Sequence, residues 1–246
     1  MLGLGNSLST YGSDDRAPWN PLSSELNLAL WLTARAQDLE LDGTAVTNWT
    51  DRVAGLVFEQ GTANRKPAFS AANEEITFAT SPNADYLQAG SNIVLDTSAT
   101  GWTLAWYGSN TDWDSGNEVM FGDDAGNNDF IRHDSGANTM SIKIDGQTKT
   151  FSLDTPSALV NDTLYHIMLV CQTDGSAVLY IDNVAQSDTE TIATSKDFEI
   201  QQISGKNGSS QTWNGPMKEI MVFRSPLNAD DRKDCHDYMK RLPLTS

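Results

Sequence analysis

The chain has 246 residues, with 16 Lys and Arg against 33 Asp and Glu, for a formal charge of −17. A surface this acidic repels phosphate backbones and anionic bilayers, so neither nucleic acid nor a charged membrane is an expected partner. The length suits one β-sandwich with a sizeable core, and no apolar run reaches the ~18 residues needed to span a bilayer.

Residues 1–24, beginning "MLGLGNSLSTYGSDD", carry much Gly, Ser, Asn and Pro without periodicity. They predict an extended N-terminal arm ahead of a single domain over residues 25–246. The start has neither a basic region nor a sustained apolar stretch, so no secretory signal is expected. Strand-like runs follow: "LNLALWLT", "GTAVTNWT", "EEITFAT", "ADYLQAG" and "GWTLAWYG", each bounded by Gly, Asn, Asp or Pro. "NEVMFG", "DFIRH", "TMSIKID" and "KTFSL" continue as an antiparallel meander would. Alternation puts Val119 and Phe121 on one face of the first of these. It puts Met140, Ile142 and Ile144 on one face of the third, and Asp145-Gly146 then predicts a tight hairpin.

"TLYHIMLVC" is apolar on both faces and is therefore expected at the centre of a sheet, with His166 a packed, hydrogen-bonded side chain rather than a base. Cys171 and Cys235 lack any ligand spacing and read as buried thiols. "NADDRKDCHDYMKRLP" predicts one helix over about 228–242. Asn228 caps it, Asp230 and Asp231 sit at its positive end, Lys240 and Arg241 at its negative end, and Pro243 stops it. Cys235, Tyr238, Met239 and Leu242 form its apolar stripe.

The segment with Trp31, Leu32, Ala34, Trp49, Asp51, Pro67 and Phe69 resembles the opening of concanavalin A-like, laminin-G-type jelly-roll domains. "LYHIMLVCQTDGSAVLYIDN" is similar to that family's paired strands joined by an Asp-Gly turn. "MKEIMVFRSPLNADDRKDCHDYMKRL", with Glu219, resembles its closing strand and helix. Together they cover about residues 27–242 and imply an all-β sandwich of two antiparallel sheets. The first nine residues, "MLGLGNSLS", resemble the start of structural proteins of tailed phages from marine bacteria.

Glycosidases on this jelly roll carry three carboxylates at alternating strand positions, because alternate residues line the cleft. Glu40/Asp42, Asp112/Asp114, Asp188/Glu190 and Asp197/Glu199 each stop at two, so hydrolysis is not expected. The acidic stretch "DWDSGNEVMFGDDAGNNDF" fails as an EF-hand loop, since Gly116 falls where a ligand oxygen is needed. Asp, Asn and Gly also build turns for backbone reasons alone. The resemblance to domains that hold calcium on edge loops makes Asp123, Asp124, Asn127 and Asp129 the candidate Ca²⁺ ligands, and both readings of the stretch stand at this stage.

Sugar recognition needs aromatic faces beside amides and carboxylates. Trp31, Trp49, Trp102 and Trp106 lie in strand-like runs and are expected in the core. Trp113 and Trp213 lie in polar loops, where they either cover the sandwich edge or form a binding rim with Asp112, Asp114, Asn207, Gln211 and Asn214. The expected function is a non-enzymatic virion surface protein, a capsid decoration or tail component, that binds host polysaccharide. In this reading the arm holds other virion subunits, a homo-oligomer is compatible, and the membrane is not entered. A purely structural decoration without glycan affinity is the alternative, followed by a bacterial adhesin or hydrolase.

Overall fold

The computed structural model describes residues 19–22, 26–80, 82–113, 116–124, 129–135, 138–154, 156, 158–207 and 211–240. Its first nine strands are β1 (Leu28–Thr33), β2 (Leu39–Asp42), β3 (Ala45–Thr50), β4 (Val57–Glu59), β5 (Ala68–Ser70), β6 (Glu75–Phe78), β7 (Leu87–Asp96), β8 (Trp102–Gly108) and β9 (Glu118–Gly122). They continue with β10 (Phe130–His133), β11 (Thr139–Ile144), β12 (Gln147–Ser152), β13 (Tyr165–Cys171), β14 (Ser176–Ile181), β15 (Val184–Thr191), β16 (Asp197–Ile203) and β17 (Gly215–Phe223), and the helix α1 (Ala229–Lys240) closes the fold.

All ladders between these strands are antiparallel, and they run in two series. One series is β15-β14-β13-β8-β17-β1. The other is β12-β11-β10-β9-β16-β7-β4-β3-β2. The two separate sheets expected from the pattern are in fact one hydrogen-bonded network. The first residues of β17 pair with β6, β6 with β5, and β5 touches β3 through Ala45 and Ala68, so the chain turns the corner without breaking its ladder.

The two series pack face to face through one apolar cluster. Trp102 of β8 stacks on Phe198 of β16 at 5.9 Å, and Trp106 meets Phe121 of β9 edge-on at 5.4 Å. Trp49, Trp102 and Trp106 have no exposed surface and Trp31 is 5% exposed, as strand placement predicts.

Strands β8 and β13 are buried along their whole length because their other face is covered too. There Tyr107, Met168, Val170, Met221 and Phe223 pack under Cys235 and Met239 of α1. The Asn228 side chain accepts the N–H groups of Asp230 and Asp231 at 2.9 and 3.1 Å, so the predicted cap forms. Tyr238 is half-buried between Trp19 and Trp31, while Leu242 lies outside the described residues. Trp19, within the expected arm of residues 1–24, packs against the cluster beneath α1; residues 1–18 and 23–25 lie outside the described residues. His166 is fully buried, with Nδ1 3.2 Å from Nδ1 of His236, and burial above all, then His236 and Lys240, pushes its pKa down to about 3.

The motif residues hold one another. Asp51 accepts the backbone N–H groups of Trp31, Val53 and Ala54 at 2.7, 3.1 and 2.7 Å, and Trp49 Nε1 donates to the Thr33 carbonyl at 2.9 Å. Trp31 Nε1 donates to Glu219 Oε1 at 2.7 Å, beneath the helix. The Asp145-Gly146 hairpin has φ of 40° and 83°, the left-handed pair its turn demands. Asp182 and Asn183, at 48° and 63°, turn β14 into β15 the same way.

Candidate functional site

At one edge of the sandwich the 211–214 loop runs beside the start of β9. Gln211 holds a left-handed φ of 57°, its carbonyl accepts the Val119 N–H at 2.6 Å, and Val119 bridges Thr212. Thr80, Ala84, Gly116 and Asn117 line the same space. The result is an open polar cleft of about 310 Å³ with Glu118, Gln211, Thr212 and Asn214 at its wall. That is near the lower limit of the ~300–1,000 Å³ typical of small-molecule clefts.

Glu118 is 6% exposed. Its carboxylate accepts the backbone N–H of Asn214, yet Oε2 has no partner among the described residues. Burial pushes its pKa up to about 8, the Asn214 bond pulls it down, and the charge of Asp112 pushes it up. At neutral pH the group is therefore mostly a carboxylic acid, able to donate as well as accept. A bulge sets it there. Phe121 opposes Ile131 while Val119 opposes Arg132, so Met120 is the extra residue and the expected Val119/Phe121 alternation is broken. Met120 and Phe121 both enter the core cluster.

The structure thus unites Gln211 and Asn214 in one cleft and places the Asp112 charge next to it. Asp114 lies outside the described residues. Asn207 is elsewhere, its N–H donating to the Asp123 carbonyl at 2.9 Å. Trp113 and Trp213 correct the rim expectation. They are 2% and 0% exposed and meet edge-to-face at 5.2 Å, and Trp113 also lies 5.0 Å from His133. Two indoles that shield each other from water gain more by filling the end of the core than by waiting in solvent for a sugar, and rings so enclosed offer no stacking platform.

Sequence reasoning missed Glu118, Asn117, Thr80 and Thr212. The local signal was a Glu opening a strand after the Gly116 turn; its enclosure depends on a loop far along the chain. A smaller cleft of about 220 Å³ lies between Gln60, Tyr86 and Gln88.

Of the candidate calcium ligands, Asp129 is 3% exposed and gives one oxygen to the Asp145 N–H at 2.6 Å and the other to the Glu199 N–H at 2.7 Å. Burial raises its pKa to about 6. Asp124 accepts the Gln88 amide at 2.7 Å, Asp123 is buried, and Asn127 lies outside the described residues. Among the described residues no three His, Cys, Asp or Glu side chains converge as a metal site would require. Both cysteines are buried free thiols.

Several solved structures share the fold. Trypanosoma rangeli sialidase in complex with sialic acid matches at TM-score 0.58 and 12% identity, over 89% of this chain and 34% of the sialidase. The binding domain of botulinum neurotoxin serotype G matches at TM-score 0.60 and 14% identity, over 86% of this chain and 51% of the toxin chain. A structure titled for the dependence of botulinum neurotoxin type C cell entry on two ganglioside molecules matches at 0.54 and 12%, over 87% and 52%. The chain therefore spans about a third of the sialidase and half of the toxin chains, and at these identities the likeness establishes architecture alone. No curated protein matches it. The model of the concanavalin A-like lectin/glucanases superfamily matches residues 81–231, from the cleft's first loop into the closing helix, and the chain belongs to that family.

Proposed function

We propose that this chain is a non-enzymatic, lectin-like module that binds a surface polysaccharide in the cleft beside Glu118. The observation that carries the reading is the cleft's lining, in which one acid and the side chains of Thr80, Asn117, Gln211, Thr212 and Asn214 offer donors and acceptors for sugar hydroxyls. With no aromatic side chain among the described residues of the lining, affinity comes from these hydrogen bonds. The sialic acid and ganglioside named for its structural neighbours agree with carbohydrate as the ligand class. The absence from the sequence of a three-carboxylate strand motif supports binding over hydrolysis. A glycan array, run with and without Ca²⁺ beside a reducing-end assay, tests this. Retention of polysaccharide without new reducing ends is the expected result.

The setting we propose is a virion surface, on the likeness of the first nine residues to phage structural proteins and on the acidity. Flanking genes for capsid or tail proteins are the expected finding, and flanking genes of bacterial surface metabolism would refute it. One observation favours a second reading, a structural decoration without glycan affinity: both loop tryptophans are spent inside the core.

A further inference from the structure

We propose that Ser204 is the positioning residue of the cleft, a single buried hydroxyl that ties the lining segments together so that polysaccharide meets a preformed site rather than one that closes over it. The consequence for binding rests on the glycan-binding reading, which it deepens by saying how that site is held.

Ser204 follows the last residue of β16, is fully buried, and has a left-handed φ of 61°. Neighbours of the cleft lining from three parts of the chain meet it there. Its N–H donates to the carbonyl of Met120, the bulge residue just past Glu118, at 2.8 Å. Its hydroxyl donates to the carbonyl of Asp85, next to Ala84, at 2.9 Å. The same hydroxyl accepts the N–H of Trp213, between Thr212 and Asn214, at 3.1 Å, while the Trp213 carbonyl lies farther, at 3.5 Å. Asp85 in turn closes the segment that bears Thr80 and Ala84. Its N–H donates to the Ala79 carbonyl at 2.8 Å, and its carboxylate accepts the Ala79 N–H at 3.0 Å.

The residue type suits the task. A hydroxyl carries one proton and two lone pairs, so it can donate to one segment while accepting from another. Glycine would hold this φ without strain. A serine kept in a left-handed conformation is costly and persists where its surroundings over-determine it, and here the surroundings are the roots of the cleft. Without the hydroxyl, the Asp85 carbonyl and the Trp213 N–H lose their common partner and the two segments drift relative to each other. Apparent affinity then falls by the fraction of molecules still correctly spaced.

The test compares the full-length wild type with Ser204→Gly and Ser204→Ala, and uses Gly175→Ala, in the β13–β14 turn, as a destabilised control. All measurements are made well below the melting temperatures. Relaxation dispersion on the free proteins reads the lining directly. Exchange on the μs–ms scale at the amides of Thr80, Ala84, Gln211, Thr212 and Asn214 is expected in both Ser204 variants and in neither the wild type nor the control. Titration with hexamers of glucose, galactose and N-acetylglucosamine reads the consequence. A hexamer that the wild type binds should bind about tenfold weaker to both Ser204 variants, as when about a tenth of the molecules are correctly spaced, and equally well to the control. Glycine relieves the left-handed φ and alanine does not, so Ser204→Gly should melt above Ser204→Ala yet bind no better. Ser204→Gly carries the test if Ser204→Ala fails to fold. Affinity that follows melting temperature across the four proteins, or lining exchange and affinity unchanged in the Ser204 variants, overturns the proposal. If the wild type binds no hexamer, the glycan-binding reading fails for these sugars, and exchange at the lining alone decides whether Ser204 holds the segments.

Discussion

Glu219 offers a clean perturbation because it is wholly buried and accepts a hydrogen bond from Trp31 Nε1. Oε2 has no partner among the described residues, and burial lifts its pKa to about 7, opposed by the Trp31 bond and by Arg35 and Arg52. The sign follows from linkage. The folded state holds the proton more tightly than the unfolded state does, at 4.5. Stability from this group is therefore fully present below 4.5 and is lost as pH rises through about 7. A shift of this size is worth ~3.4 kcal/mol in all, of which ~2.5 kcal/mol is lost between pH 5 and pH 8. Glu219→Gln keeps the acceptor for Trp31 and removes the titration. Urea denaturation of both proteins at pH 5 and pH 8 should show the wild type losing ~2.5 kcal/mol more than the variant. Equal losses would show that the carboxyl is not held in a desolvated site, and the packing of helix on sheet described here would be wrong at that point.

Gly175 has φ of 83°, and an added Cβ would lie 2.0 Å from the Ile192 carbonyl oxygen, so Gly175→Ala should cost more than ~2 kcal/mol in a thermal melt. An unchanged melting point would deny the close approach of the β13–β14 turn to the chain after β15. Tyr238→Ala removes a half-buried ring from Trp19 and Trp31 and should cost ~2 kcal/mol, short of the 3–5 of a fully buried aromatic. Because both Asp129 oxygens accept backbone amides, millimolar Ca²⁺ should raise the melting temperature no more than sodium chloride at equal ionic strength. A larger rise that vanishes in Asp123→Asn with Asp129→Asn would instead place a cation in that loop.

The sandwich was legible because its signals are local. Period-two alternation marks β11, unbroken apolarity marks β8 and β13, and cap chemistry at Asn228 marks α1. The short strands β2, β4 and β5 carry no such signal, since three or four residues cannot show a period; pairing with neighbours defines them. The site was half legible. Gln211 and Asn214 stood out as polar loop residues, but Glu118 acquires its role from a bulge and a distant loop, and neither leaves a mark on the strand itself. Of the two readings open for Trp113 and Trp213, burial at the sandwich edge holds and the binding rim does not, because a polar loop need not face solvent. Each indole had its burial partner a hundred residues away in the other.

The central claim, that carbohydrate binds beside Glu118, is tested most directly by titrating isotope-labelled protein with the best oligosaccharide from the array and following its amide resonances. The account predicts shifts confined to Thr80, Ala84, residues 116–118 and residues 211–214, and their loss in Glu118→Gln with Asn214→Ala. Saturating shifts centred instead on Gln60, Tyr86 and Gln88, or no shifts at all, would contradict it.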